Sequence, residues 1–216
     1  MKLIILKNHL KDGFDIVGRA TTSNLNLPIL KSVLIKAQNN QIKLSATNLE
    51  IAVTKTISGK IIEDGSVVVP YSTISNIINN TTSERINLET KNNIIIIKTD
   101  NYEAKISCSL ESDFPIVPRV LTGDEFLELR GSALKDCLDK VIIAAGVSDL
   151  RPEISGVFMN IESSEVKLVA TDTFRLAEGR IAGSQIKNAF ERGVSVIIPL
   201  KTSQELGRII SEDDDV

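Results

Sequence analysis

The stretch Arg151–Leu176, RPEISGVFMNIESSEVKLVATDTFRL, decides the fold because the chain contains it twice. Displacing the sequence against itself by 124 residues places Leu10-Lys11-Asp12 on Leu134-Lys135-Asp136, Asp15 on Asp139, Val17 on Val141 and Ala20 on Ala144. The same offset sets Pro28 on Pro152, Val33 on Val157, Lys43-Leu44 on Lys167-Leu168, Ala46-Thr47 on Ala170-Thr171 and Ile57 on Ile181. A five-residue insertion then brings Val68-Val69-Pro70 onto Ile197-Ile198-Pro199. Agreement in both order and spacing marks two copies of one structural unit, each of about 120 residues. The expected boundaries are 1–118 and 124–216, joined by a linker over Ile116–Gly123.

Composition bounds the function classes. The 216 residues are 42% hydrophobic and 25% charged, with a net charge of −3, as in an ordinary globular protein. That balance argues against a protein that coats nucleic acid by bulk attraction. No apolar run approaches the ~20 residues of a membrane span. The N-terminal apolar patch is interrupted by Lys7 and Lys11 and lacks a signal peptide's longer core. Cys108 and Cys137 form neither a disulfide framework nor a metal motif, which fits a reducing cytoplasm.

Periodicity supplies the elements. Met1–Ile5 reads as a strand and Asn8–Ala20 as a helix, with Leu10, Phe14 and Val17 on one face. Strands follow at Ile29–Ala37, Ile42–Ala46, Glu50–Ile57 and Ser66–Val69. Ser72 or Thr73 is expected to cap a second helix bearing Ile74, Ile77 and Ile78, before strands at Arg85–Glu89, Ile94–Thr99 and Glu103–Ser109. The second unit repeats the order. It has a strand at Glu125–Leu129, a helix capped by Ser132 and carrying Leu134, Leu138, Val141, Ile142 and Ala145, then strands at Gly156–Ile161, Val166–Ala170, Phe174–Ile181 and Ser195–Ile198. Thr202-Ser203-Gln204-Glu205 has capping-box spacing ahead of Leu206, Ile209 and Ile210. Three strands follow the second helix of unit one, whereas only SEDDDV follows in unit two. Unit two is therefore expected to lack its last strands and to expose a sheet edge, either as a fragment or completed by another chain.

Catalytic chemistry finds little support. The single histidine, His9, sits among polar helix residues, and no phosphate-loop, dinucleotide, nucleophile-elbow or zinc-helix motif occurs. No catalytic residue, metal site or cofactor is expected. Asp172 and Asn48 occupy matching places just after a strand, and side-chain capping of a turn explains both; a metal-dependent hydrolase using Asp172 is the rival. Lys7, Lys11, Arg19, Lys135, Lys140, Lys201 and Arg208 lie on helices, accompanied by Asp12, Asp15, Asp136 and Asp139. Phe174 and Leu176 have the same parity along the expected strand, with Arg175 on its other side, and Ile154 and Phe158 lie upstream.

Leu27–Val53 and Arg151–Ala177 resemble the bacterial DNA polymerase sliding clamp, the β subunit of polymerase III. SDFP at Ser112–Pro115 and VIIPLKTSQELGRII at Val196–Ile210 fit the same pattern in the same order. The resemblance implies an α+β fold of tandem clamp-type repeats, each with two helices packed on curved antiparallel sheets. It implies three such domains per subunit and a head-to-tail homodimeric ring around duplex DNA, with the third domain absent here. The function implied is a non-catalytic processivity factor; the alternative is a peptide-docking or regulatory module that forms no ring. DNA polymerase, clamp loader and repair proteins dock by short linear motifs on a pocket whose matching positions are Ile154, Thr171, Thr173, Phe174, Arg175 and Leu176. Phe174 stands where the family often has His. DNA-contact positions implied are Lys7, Lys11, Arg19, Asn24, Lys135, Lys140, Ser148, Arg151 and Lys201. Location is expected to be cytoplasmic, with no membrane partner.

Overall fold

The computed structural model describes residues 1–21, 27–117, 125–148, 150–210 and 216. The chain divides into two compact units, Met1–Pro118 and Arg119–Val216.

In unit one, alternation of Leu3 and Ile5 with partly exposed neighbours forms β1 (Lys2–Leu6), whose apolar face points into the core. The chain turns directly into α1 (Lys7–Val17), which buries Leu10, Gly13, Phe14 and Val17 and continues as a 3-10 turn to Ala20. Pro28 opens a second 3-10 turn, Pro28–Lys31, where an unbroken strand was expected. Four strands follow: β2 (Ser32–Gln38), β3 (Gln41–Thr47), β4 (Ala52–Ile57) and β5 (Lys60–Glu63). Then come β6 (Gly65–Pro70), α2 (Tyr71–Asn80), β7 (Arg85–Lys91), β8 (Ile94–Lys98) and β9 (Glu103–Ser107). Two antiparallel sheets result, in the orders β4-β3-β2-β6 and β5-β1-β7-β8-β9.

Unit two contains β10 (Leu127–Leu129), α3 (Gly131–Val141), β11 (Gly156–Ile161), β12 (Glu165–Thr171), β13 (Leu176–Ala182), β14 (Ile186–Asn188), β15 (Val194–Pro199) and α4 (Leu200–Ile209). Its four-stranded sheet runs β13-β12-β11-β15, the order of its counterpart β4-β3-β2-β6. Its other sheet is β10-β14 among the described residues. The free side of β10 is met at one point. Leu129 exchanges two backbone hydrogen bonds with Val216, at 2.6 and 2.8 Å, as Ile5 pairs with Ile86 between β1 and β7. This is an α+β fold, with two α-helices in each unit among the described residues.

Each unit has its own apolar cluster. The first is centred on Leu3, Phe14, Leu44 and Leu88, the second on Leu138, Val157, Leu168 and Ile181. The copies solve helix-to-sheet contact in opposite ways. In unit one the helix supplies the gap: a Cβ at Gly13 would lie 2.7 Å from both Ile57 and Leu44. In unit two that helix position is Cys137, and the strand supplies the gap at Gly179, where a Cβ would overlap the Cys137 sulfur. Gly179→Ala is therefore expected to destabilise unit two by about 1–3 kcal/mol, as overpacking does. Adding Cys137→Ala should recover most of that loss in a urea titration; a double variant no better than the single would show that the strain lies elsewhere.

Helix starts depart from the capping expectations. Tyr71 and Leu200 each begin a helix right after a strand-ending proline, and neither α2 nor α4 has a side-chain cap. Ser72 and Thr73 lie inside α2, and Thr202–Glu205 lie inside α4. There Ser203 is buried, with its hydroxyl donating to the Ile198 carbonyl at 3.4 Å, while Glu205 accepts from Arg208 at 2.7 Å. Ser132 follows the first residue of α3 rather than capping it. The fixed φ of proline, −60° at Pro70 and −52° at Pro199, sets the strand-to-helix bend instead.

Candidate partner-docking site

β12 ends at Thr171 and β13 begins at Leu176, so the four residues between them form the turn of a hairpin. The strand expected from Phe174 onward is corrected here, and so is the parity argument that placed Phe174 and Leu176 on one strand face. Thr173 takes φ +77°, a conformation that a β-branched residue rarely adopts. A strained backbone of this kind costs about 1–3 kcal/mol and persists only where its surroundings hold it. The holding groups are two side chains. The Thr171 hydroxyl donates to the Arg175 carbonyl at 2.8 Å and accepts from the Thr173 amide at 3.2 Å. The Asp172 Oδ1 accepts from the amides of Phe174, at 3.0 Å, and Arg175, at 2.9 Å. Its Oδ2 accepts from the Arg175 guanidinium Nε at 2.9 Å.

Unit one builds the same turn. Thr47 donates to the Ile51 carbonyl at 2.9 Å, Asn48 Oδ1 accepts from the amides of Glu50 and Ile51, and Leu49 takes φ +77°. The expectation that Asn48 and Asp172 cap matching turns agrees with these bonds.

The turn meets a second segment through Gly146, whose amide points at the carbonyls of both Ile154 (3.0 Å) and Thr171 (3.3 Å). Ile154 ends a 3-10 turn, Pro152–Ile154. Ser155 ties the segment to itself: its hydroxyl accepts from the Ser148 amide at 2.9 Å, and the Arg151 amide donates to the Ser148 hydroxyl at 3.2 Å. Thus the carbonyls of Ile154 and Thr171, from two separate segments, converge on one amide. Phe174 is 96% exposed and Leu176 is 65% exposed, with Ile154 partly buried beside the turn. Large apolar side chains so exposed, beside a guanidinium, suit capture of an apolar segment. Sequence reasoning missed Gly146 and Ser155. A glycine after a helical segment signals a turn, but not which two segments its amide will join.

The Asp172 carboxyl titrates below the usual carboxylate range because the Arg175 and Phe174 amides, and then the Arg175 guanidinium, favour its charged form. Its folded value is depressed, so its hold on the turn is complete above the ordinary Asp pKa of about 3.9 and is lost as pH falls through the lower folded value. Exchange protection of the Phe174 and Arg175 amides is expected to stay constant from pH 7 to about 4 and to fall only in stronger acid. In Asp172→Asn the acid limb should vanish.

The positions expected to contact DNA are spread along the chain. Lys11 is exposed on α1, Arg19 on the turn after it and Lys140 on α3, while Lys135 and Lys201 are partly buried on α3 and α4. Lys7, partly buried, donates its ammonium to the Thr81 carbonyl at 2.6 Å, which ties α1 to the end of α2. Arg151 pairs with Glu153 at 3.1 Å, so its charge is shared. Asn24 lies outside the described residues. Among the described residues no group of three or more His, Cys, Asp or Glu side chains could hold a metal, and no helix is long and apolar enough to cross a membrane. Both Asp172 oxygens are engaged by the turn and by Arg175, which leaves the rival hydrolase reading without support.

Two family descriptions match in chain order. Residues 1–118 match the N-terminal domain of the DNA polymerase III beta subunit, and residues 128–216 match its central domain. The chain belongs to the DNA polymerase III beta subunit family. A beta sliding clamp from Staphylococcus epidermidis is 30% identical over 217 aligned positions, covering 96% of this chain and 55% of that protein. The crystal structure of the beta subunit from Thermotoga maritima is 27% identical with a TM-score of 0.79, covering 97% of this chain and 56% of that one. The Bacillus subtilis sliding clamp, 23% identical, shares the fold with a TM-score of 0.89 over 100% of this chain and 59% of its own. The chain thus spans about half the length of the curated relatives it matches.

Proposed function

We propose that this chain supplies the first two domains of a DNA sliding clamp, a non-catalytic cytoplasmic processivity factor. In its complete form the clamp encircles duplex DNA as a head-to-tail homodimer. DNA polymerase, clamp loader and repair proteins dock on it by short linear peptides at the surface formed by Ile154 and Thr171–Leu176. The observation that carries this reading is the Gly146-bridged surface, with Phe174 and Leu176 exposed, in a chain that belongs to the clamp family from end to end.

The charge pattern supports a sliding hold. A ring retains duplex by topology and needs only scattered cations such as Lys11, Arg19, Lys135, Lys140, Arg151 and Lys201 to favour DNA over water. Many tight phosphate contacts would immobilise it and make it steeply salt-sensitive. A net charge of −3 fits weak contact.

Docking is by shape and apolar burial. Arg175 is balanced by Asp172, so the surface carries little net charge and favours an apolar segment with neutral hydrogen-bond acceptors. The test is primer extension on a long, singly primed template. The protein from the whole reading frame, with its loader, should lengthen products severalfold. Products of unchanged length would overturn the reading.

A further inference from the structure

The two copies of the turn share a backbone and differ in one functional respect. In unit one the cap is Asn48, and the residue three places on is Ile51. In unit two the cap is Asp172, and that residue is Arg175. An Asn supplies the same Oδ1 acceptor to two amides, and unit one shows that this suffices to hold Leu49 at φ +77°. Holding the backbone therefore does not require a carboxylate. What the carboxylate adds is Oδ2, and Oδ2 receives the Arg175 Nε at 2.9 Å. An amide nitrogen there would present hydrogens toward a guanidinium that has only hydrogens to offer.

We propose that Asp172 is a positioning residue of the docking surface, with two separable roles. Through Oδ1 it fixes the turn that displays Phe174, and through Oδ2 it fixes the Arg175 guanidinium before any partner arrives. This rests on the docking function proposed above and deepens it. A flexible arginine that is 64% exposed would otherwise have to be ordered on each binding event, which weakens affinity. Held by Asp172, it meets the partner already in place, with its remaining N–H groups available to neutral acceptors such as peptide carbonyls. The partner is thus an uncharged, apolar peptide segment read against a preformed edge.

Three variants separate the roles: Asp172→Asn keeps Oδ1 and loses the ion pair, Asp172→Ala loses both, and Arg175→Ala removes the group being positioned. Both sites lie on an exposed hairpin, so the fold, followed by far-UV circular dichroism, is not at risk. In nitrogen-15 spectra of the free protein, the Arg175 Nε–H signal should be protected from exchange and displaced from the free-arginine position. Asp172→Asn should return that signal to the free position while the Phe174 and Arg175 amides stay protected, and Asp172→Ala should lose both. Titration with a labelled decapeptide carrying a replicative polymerase's clamp-docking segment should show capture weakened about 3- to 10-fold by Asp172→Asn and further by Asp172→Ala. In the Arg175→Ala background, Asp172→Asn should cost nothing more. An Arg175 signal indifferent to Asp172, or an Asp172→Asn penalty that persists without Arg175, would overturn the proposal. Wild-type protein that shows the spectral signature but captures no peptide would instead refute the docking function.

Discussion

Replacing Arg175 and Leu176 together by alanine is expected to weaken capture of the docking peptide by about 100-fold and to abolish most stimulation of polymerase. Leu176 is 65% exposed at the start of β13, two residues after the exposed Phe174, and would contribute apolar area to the proposed docking surface. Arg175 contributes the guanidinium that Asp172 holds. Truncating a central interface residue of either kind costs about 1–2 kcal/mol, and two such losses amount to about 3 kcal/mol, or two orders of magnitude in affinity. Neither side chain belongs to the core of unit two, so stability should change by no more than about 0.5 kcal/mol. Loss of stimulation with an unchanged melting profile would support docking here. Unchanged stimulation would remove Thr171–Leu176 from the partner site.

Phe14→Ala is expected to cost unit one about 3–5 kcal/mol, the range for emptying a large aromatic site in a core. Phe14 is 1% exposed on α1, among Leu10 and Val17, and stacks on Tyr71 of α2 with ring centroids 6.3 Å apart. It therefore joins the two helices as well as filling the core beneath them. The chain has no tryptophan, and both tyrosines, Tyr71 and Tyr102, lie in unit one. Tyrosine fluorescence in urea thus reports that unit alone, whereas far-UV circular dichroism reports both. Phe14→Ala should move the fluorescence midpoint to lower urea and leave a second dichroism transition in place. The matching residue of unit two is Leu138, fully buried on α3. Leu138→Ala should do the reverse, shifting dichroism while tyrosine fluorescence keeps its midpoint. A single transition that moves with either substitution would contradict the independence of the two cores.

How much of this was legible in the sequence depends on whether the information was periodic. The 124-residue repeat foretold more than matching strands: Thr47 and Thr171, aligned by spacing alone, make the same two hydrogen bonds. Asn48 and Asp172 cap as their residue types imply. What escaped was set by tertiary geometry. Short β5 and β14 carry too few residues for alternation to register, and they exist because β1 and β10 pair with them. The helix starts after Pro70 and Pro199 escaped because nearby Ser and Thr looked like caps, although the proline bend had already done that job.

The docking turn was misread for a related reason. ATDTFRL contains no glycine, and a threonine at φ +77° leaves no compositional trace. The second strand was therefore expected to begin at Phe174, two residues before it does, and Phe174 was assigned a strand face. Its actual exposure follows from the bonds of Thr171 and Asp172, which lift the chain out of the sheet before Leu176 re-enters it. A bond that no sequence pattern announces is the one from the Lys7 ammonium to the Thr81 carbonyl, beyond the end of α2.

The central claim is a topological hold on duplex DNA, and the most direct test is release on cutting. The protein from the whole reading frame is loaded on a nicked circular plasmid by its loader, isolated by gel filtration, and followed before and after a single restriction cut. The account predicts that it co-elutes with the circle even at 500 mM salt and leaves within minutes once the DNA is linear. Salt elution from the intact circle, or equal retention on linear DNA, would show ordinary phosphate binding and contradict the clamp.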